Sequence, residues 1–169
     1  GGGINQFRGS VILVNSTVSG NLVDTADGGA GGGISPHELL ILINSTVSGN
    51  TGGGIAIFGG STILRNTTVV SNVSTENFLA GGILALDGIV TVANTIIADN
   101  SGPLFPDCRS ALTSEGYILI EDTNGCTITG DLTGNITGVD PTLGSLGDNG
   151  GPTETHALLT GSPAIDAGN

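Results

Sequence analysis

Asn44-Ser45-Thr46-Val47-Ser48-Gly49-Asn50 is the stretch on which the reading turns, because it recurs. Asn15 to Asn21 repeats it letter for letter. Degenerate copies run from Asn66 to Asn72 (N-T-T-V-V-S-N) and from Asn94 to Asn100 (N-T-I-I-A-D-N). Each copy follows a glycine run that ends in isoleucine: Gly1-Gly2-Gly3-Ile4, Gly31-Gly32-Gly33-Ile34, Gly52-Gly53-Gly54-Ile55 and Gly81-Gly82-Ile83. The isoleucine precedes its Asn by 11, 10, 11 and 11 residues, and successive first Asn lie 29, 22 and 28 apart. Self-similarity on such a period marks a stacked repeat architecture.

Aligned on the first Asn, the copies share apolar positions. Leu13, Leu42, Leu64 and Val92 stand two before it, and Val11, Leu40, Thr62 and Val90 four before it. Val18, Val47, Val69 and Ile97 stand three after it. Val14, Ile43, Arg65 and Ala93 stand one before it, a place that tolerates charge and so faces out. This period-two alternation is that of strands. A coil of this length is too long for one hairpin in register, but it fits a triangular turn that returns one rung higher, about 4.8 Å on. The expected fold is all-β: a right-handed parallel β-helix (β-solenoid) with three short strands per coil. Regular coils fill 1–100, and an irregular continuation and cap fills 101–169, all in one domain.

Corner chemistry follows from this geometry. Asn tolerates left-handed backbone, and stacked amides can bond along the axis. Asn15, Asn44, Asn66 and Asn94 are therefore read as an inward ladder; the N-x-[ST] sequons at Asn15, Asn44, Asn66, Asn72 and Asn135 fall mostly on such positions, which argues against glycosylation there. The glycine runs supply positive φ at another corner. The variable length falls between the closing Asn and the next glycine run. It makes a loop edge of Leu22 to Ala30 and Val73 to Ala80, with Asp24, Asp27, Glu76 and Asn77 exposed for binding.

Composition excludes several classes. Fifteen acids against three arginines give a formal charge of −12. With Arg8, Arg65 and Arg109 far apart, there is no basic patch for nucleic acid. No apolar run is long enough to insert in a membrane. Cys108 and Cys126 are expected to form a disulfide, with a pair of buried thiols as the alternative. A disulfide places the chain in an oxidising, extracellular or cell-surface setting. Starting within a repeat, with no signal peptide, the chain reads as a mature form or a fragment.

The tail carries D-P-T-L-G (Asp140–Gly144), D-N-G-G-P-T-E-T-H-A-L (Asp148–Leu158) and G-S-P-A-I-D-A-G (Gly161–Gly168). In that order these resemble the C-terminal part of bacterial surface proteins with a choice-of-anchor Q domain. The likeness covers about Gly116 to Gly168, while the coils resemble pectate-lyase-like repeats generally. The family implies export or display and no established reaction.

No repeat position stacks Asp or Glu, so the chain is read as non-enzymatic. A polysaccharide lyase or glycosidase is the third reading, since a hydrolase needs two carboxylates about 5 to 9.5 Å apart. His156 is expected to be packed and hydrogen-bonded. Asp140, Asp148 and Asp166 read as turn residues, and Ca²⁺ is the one cofactor they allow. The coil start Gly1-Gly2-Gly3-Ile4 presents an uncovered rung, which would associate with another. The expected function is a structural β-solenoid that self-associates through its ends, as a filament if the stacking is head-to-tail. The alternative is an adhesin that grips glycans with the loop edge. A Thr row at 17, 46 and 68 that could meet ice is interrupted by Ile96.

Overall fold

The computed structural model describes residues 2–23 and 30–169, so Gly1, Asp24 and Asp27 lie outside the described residues. The chain is an all-β parallel solenoid. The first coil holds β1 (Ile4–Gln6), β2 (Ser10–Val14) and β3 (Thr17–Ser19). The second holds β4 (Ile34–Pro36), β5 (Leu39–Ile43) and β6 (Thr46–Ser48). The third holds β7 (Ile55–Ile57), β8 (Ser61–Arg65) and β9 (Thr68–Val70), and the fourth β10 (Ile83–Ala85), β11 (Ile89–Ala93) and β12 (Ile96–Ala98). Register follows the sequence repeat residue for residue: Leu13 pairs Leu42, Leu42 pairs Leu64 and Leu64 pairs Val92.

Two further rungs continue the stack. In the fifth, β13 (Cys108–Glu115) pairs both β10 and β11, so the first corner is ironed out, and β14 (Leu119–Ile120) pairs β12. β14 is short because Gly116 and Tyr117 before it turn left-handed at φ 97° and 57°. The sixth rung is β15 (Cys126–Asp131) on β13 and β16 (Ile136–Thr137) on β14. Cys108 and Cys126 form a disulfide with Cα atoms 5.5 Å apart, tying the fifth rung to the sixth.

The core is a column of small aliphatics. Leu40, Leu42, Leu64, Val92 and Ile97 are fully buried, and the first coil's Ile4, Val11, Leu13 and Val18 are partly buried against them. A polar atom interrupts the column at Thr62. Thr62 sits between Leu40 and Val90, and its buried hydroxyl has no partner among the described residues. Leaving a hydroxyl unpaired costs about 1–3 kcal/mol. Thr62→Val, which keeps the shape, is therefore expected to stabilise the chain by about 1 kcal/mol. The check is a higher urea midpoint at unchanged m-value.

The glycine runs serve two purposes. Gly31, Gly52 and Gly53 have positive φ, as expected. Gly32 does not, and is needed because a Cβ there would lie 2.1 Å from the Thr51 carbonyl oxygen of the next rung.

The tail departs from expectation. Beyond the sixth rung, β17 (Leu143–Gly147) and β18 (Thr155–Leu158) form an antiparallel hairpin. It does not cap the end of the stack. It runs back along the outer face of the third sheet, where the Thr17 hydroxyl donates to the Glu154 carbonyl at 2.7 Å. Val70, Ala98 and Leu119, which point outward on that sheet, are buried with Leu143 and Ala164 packed on them. Thr46 of the Thr row is buried as well. His156 is packed and hydrogen-bonded as expected, with Nδ1 2.7 Å from the Gly144 carbonyl and Nε2 2.8 Å from Ser48 Oγ.

Candidate functional site

Asn15, Asn44, Asn66 and Asn94 do not form the inward ladder. They take left-handed φ of 47°, 49°, 50° and 45°, which turns the corner but swings the first three side chains into solvent. Only one side-chain bond links them, Asn66 Nδ2 to Asn44 Oδ1 at 3.0 Å. The next residue does the burying. The hydroxyls of Ser45, Thr67 and Thr95 each donate to the carbonyl two residues back.

The ladder is made by the closing residues. Asn21 Nδ2 donates to Asn50 Oδ1 at 2.9 Å, Asn50 to Asn72 at 2.8 Å and Asn72 to Asn100 at 2.9 Å. The backbone N–H of each donates to the same oxygen. Spare amide protons reach carbonyls such as Val18 and Val47, so the buried amides are satisfied. The last rung ends on a carboxylate: Asn100 Nδ2 donates to Asp107 Oδ1 at 2.9 Å.

Asp107 forms the floor of an acidic cavity of about 630 Å³ at the third corner, with Asp99, Glu121, Asp122 and Asp140 around it. Its Oδ2 accepts the Asp122 N–H at 2.8 Å. Burial pushes its pKa up to about 6, against the pull of the Asp122 and Asn100 hydrogen bonds. Carboxylate oxygens of Asp99, Glu121 and Asp140 lie within 4.8 Å of one another. Asp99 is held above the usual range by burial, then by repulsion from Glu121 and Asp140. An oxygen-only set like this has the chemistry of a hard divalent cation site. The sequence reading missed it by treating the acids as scattered. Asp99 and Glu121 come from adjacent rungs one residue out of register, and the Asp99 N–H donates to Glu121 Oε2 at 2.8 Å.

A proton that binds the folded chain more tightly than the unfolded one stabilises it. Asp107 rises from 3.8 to about 6, so its contribution favours folding below the lower value and is lost as pH climbs to the upper. Between those limits the loss is up to about 3 kcal/mol. The difference in unfolding free energy between wild type and Asp107→Asn, followed from pH 4 to 7, is expected to shift by that order and then level off. A flat difference would contradict the assignment.

The other expected site residues do not converge. Glu76 and Asn77 lie on the loop edge, where Arg109 donates to the Phe78 carbonyl. Arg65 pairs with Glu115 at 2.7 Å. Gly2, Gly3 and Ile4 belong to the first rung. The few aromatics are partly gathered at the first corner, where His37 is sandwiched between Phe7 and Phe58 at centroid distances of 5.0 and 5.5 Å. Comparison with family models, curated proteins and solved structures finds no match for this chain.

Proposed function

We propose that the chain is a non-enzymatic extracellular structural module, a β-solenoid subunit that joins others through its terminal rungs. The observation that carries this reading is one-sided pairing at the sixth rung. Among the described residues β15 bonds only β13 and β16 only β14, because the chain then leaves the stack and runs along its side. An open edge of this kind pairs with another chain unless blocked. Head-to-tail joining would lay β2 and β3 of one copy beside β15 and β16 of another. The Cys108–Cys126 disulfide is consistent with an extracellular location. The choice-of-anchor Q resemblance of the tail supports a bacterial cell-surface setting.

Negative-stain electron microscopy with light scattering tests this. Regular fibres are expected from the wild-type chain. A lysine beside the open edge, Leu132→Lys, is expected to abolish them; Leu132 is 58% exposed and tolerates the change. Single particles at high concentration would refute end joining. A second reading, an adhesin, would place sugar contact away from the loop edge, on the Phe7–His37–Phe58 stack at the first corner, since ring faces and edges suit it. A glycan array without hits would dismiss it.

A further inference from the structure

The corner between the second and third strands of each coil removes the reason for discounting glycosylation. Three of the sequons begin on the asparagine that turns this corner: Asn15-Ser16-Thr17, Asn44-Ser45-Thr46 and Asn66-Thr67-Thr68. Those three asparagines are exposed on a left-handed turn and stand one rung apart along the axis. The other two sequons are closed. Asn72 is fully buried, and its Nδ2 donates to Asn100 Oδ1 and to the Val47 and Val70 carbonyls. Asn135 is half-buried, with Nδ2 donating to Ser114 Oγ and Oδ1 accepting the Ile118 N–H.

The fold accounts for the first two residues of each exposed sequon. Left-handed φ favours Asn, and the hydroxyls of Ser16, Ser45 and Thr67 tie the turn by donating to the carbonyl two residues back. It does not account for the third. Along the outer face of the third sheet Thr17 pairs Thr46, Thr46 pairs Thr68, Thr68 pairs Ile96 and Ile96 pairs Leu119. Ile96 and Leu119 show that this position needs no hydroxyl. The hydroxyl is lost at the coil where the amide stops being available. Asn94 is half-buried, its Nδ2 donates to the Asn169 carbonyl and its Oδ1 accepts the Asn169 N–H. In the next rung Tyr117 holds the corner. Exposed amide and threonine hydroxyl therefore occur together in the first three coils and disappear together after them. Attachment of an N-linked sugar calls for both, at this spacing and on the surface.

We propose that Asn15, Asn44 and Asn66 are a column of N-glycan attachment sites, each taking its sugar from a glycosyl diphosphate. In the transfer Nδ2 forms a bond to the anomeric carbon, the bond from that carbon to the diphosphate oxygen breaks, and the amide gives up one proton as the diphosphate leaves. The second Nδ2 proton stays, so Asn66 can keep its bond to Asn44 Oδ1. Thr46 is buried in the folded chain, and the Thr17 hydroxyl donates to the Glu154 carbonyl of the tail. A transferase that reads these hydroxyls must act before the tail hairpin docks, on a chain still folding. Attachment does not depend on joining at the terminal rungs.

Peptide mass mapping of the whole chain, produced in two ways, tests this. In one, the chain is co-expressed in the bacterial cytosol with a sequon-reading transferase that uses a nucleotide hexose. In the other, it is exported from a cell that transfers oligosaccharide from a lipid diphosphate. Sugar is expected on Asn15, Asn44 and Asn66 in at least one arm, and the productive arm names the donor. Asn72 and Asn135 are expected to be bare in the soluble, folded product, whose fold circular dichroism checks. Thr68→Val keeps a β-branched residue on β9 and is expected to remove sugar from Asn66 while Asn15 and Asn44 stay occupied. Bare asparagines at all three positions in both arms overturn the proposal. So does a folded product in which Asn72 is occupied as fully as Asn44, because exposure would then not be what separates the sequons.

Discussion

Asn72→Ala is expected to unfold the chain or bring it close to unfolding at room temperature. Asn72 is fully buried and its amide closes five bonds. It donates to Asn100 Oδ1 and to the Val47 and Val70 carbonyls, and accepts from the backbone N–H and Nδ2 of Asn50. Truncation leaves donors above and acceptors below with no water to replace the amide. Each stranded group costs about 1–3 kcal/mol, so the sum reaches about 4 kcal/mol or more after relaxation. Domains have only about 5–15 kcal/mol in total. Asn44→Ala, by contrast, removes an exposed side chain from a left-handed corner and is expected to cost about 1–2 kcal/mol through backbone strain. The check is chemical denaturation of both variants. Equal losses would mean that the closing amides do not form the working ladder.

Removing the disulfide is the second large effect. Cys108 and Cys126 close a loop with a separation of 18 residues, and the double replacement by alanine is expected to cost about 3 kcal/mol. The loss should be local at first. The bond joins the last two rungs, and among the described residues β15 has no neighbour beyond it. Hydrogen exchange under reducing conditions should accelerate in 126–137 before it does in the first four coils, because protection reports local opening. Uniform acceleration would show that the rungs open as one unit.

The repeat made much of this legible in advance. Strand starts, inner rows and rung register all follow from matching one coil to the next, since in-register parallel stacking is what the spacing encodes. The ladder was misplaced because both asparagines of N-S-T-V-S-G-N recur equally. A local signal did separate them. The residue before each closing Asn is Gly20, Gly49, Ser71 or Asp99, and all four take positive φ. That residue turns the third corner and frees its neighbour to face inward, whereas at the other corner the Asn itself must turn. The acidic cavity was hidden by a slip in register: Glu121 aligns with Ala98 rather than Asp99. The tail's path was not readable at all. Glu154 meets Thr17 across 137 residues, and nothing repeats there to betray the contact.

The hairpin laid along the third sheet has a mechanical meaning. Rungs of a solenoid are held to one another by bonds that lie along its axis, so tension along that axis would peel them apart one at a time. Here one segment of the same chain, from Glu154 to Asn169, spans the stack like a splint, anchored at Thr17 in the first rung, Ser48 in the second and Asn94 in the fourth. Load is then shared between the rung bonds and these cross-ties. The first coils should part only after the splint has lifted, which makes the module stiffer in tension than its short, glycine-rich strands would be alone.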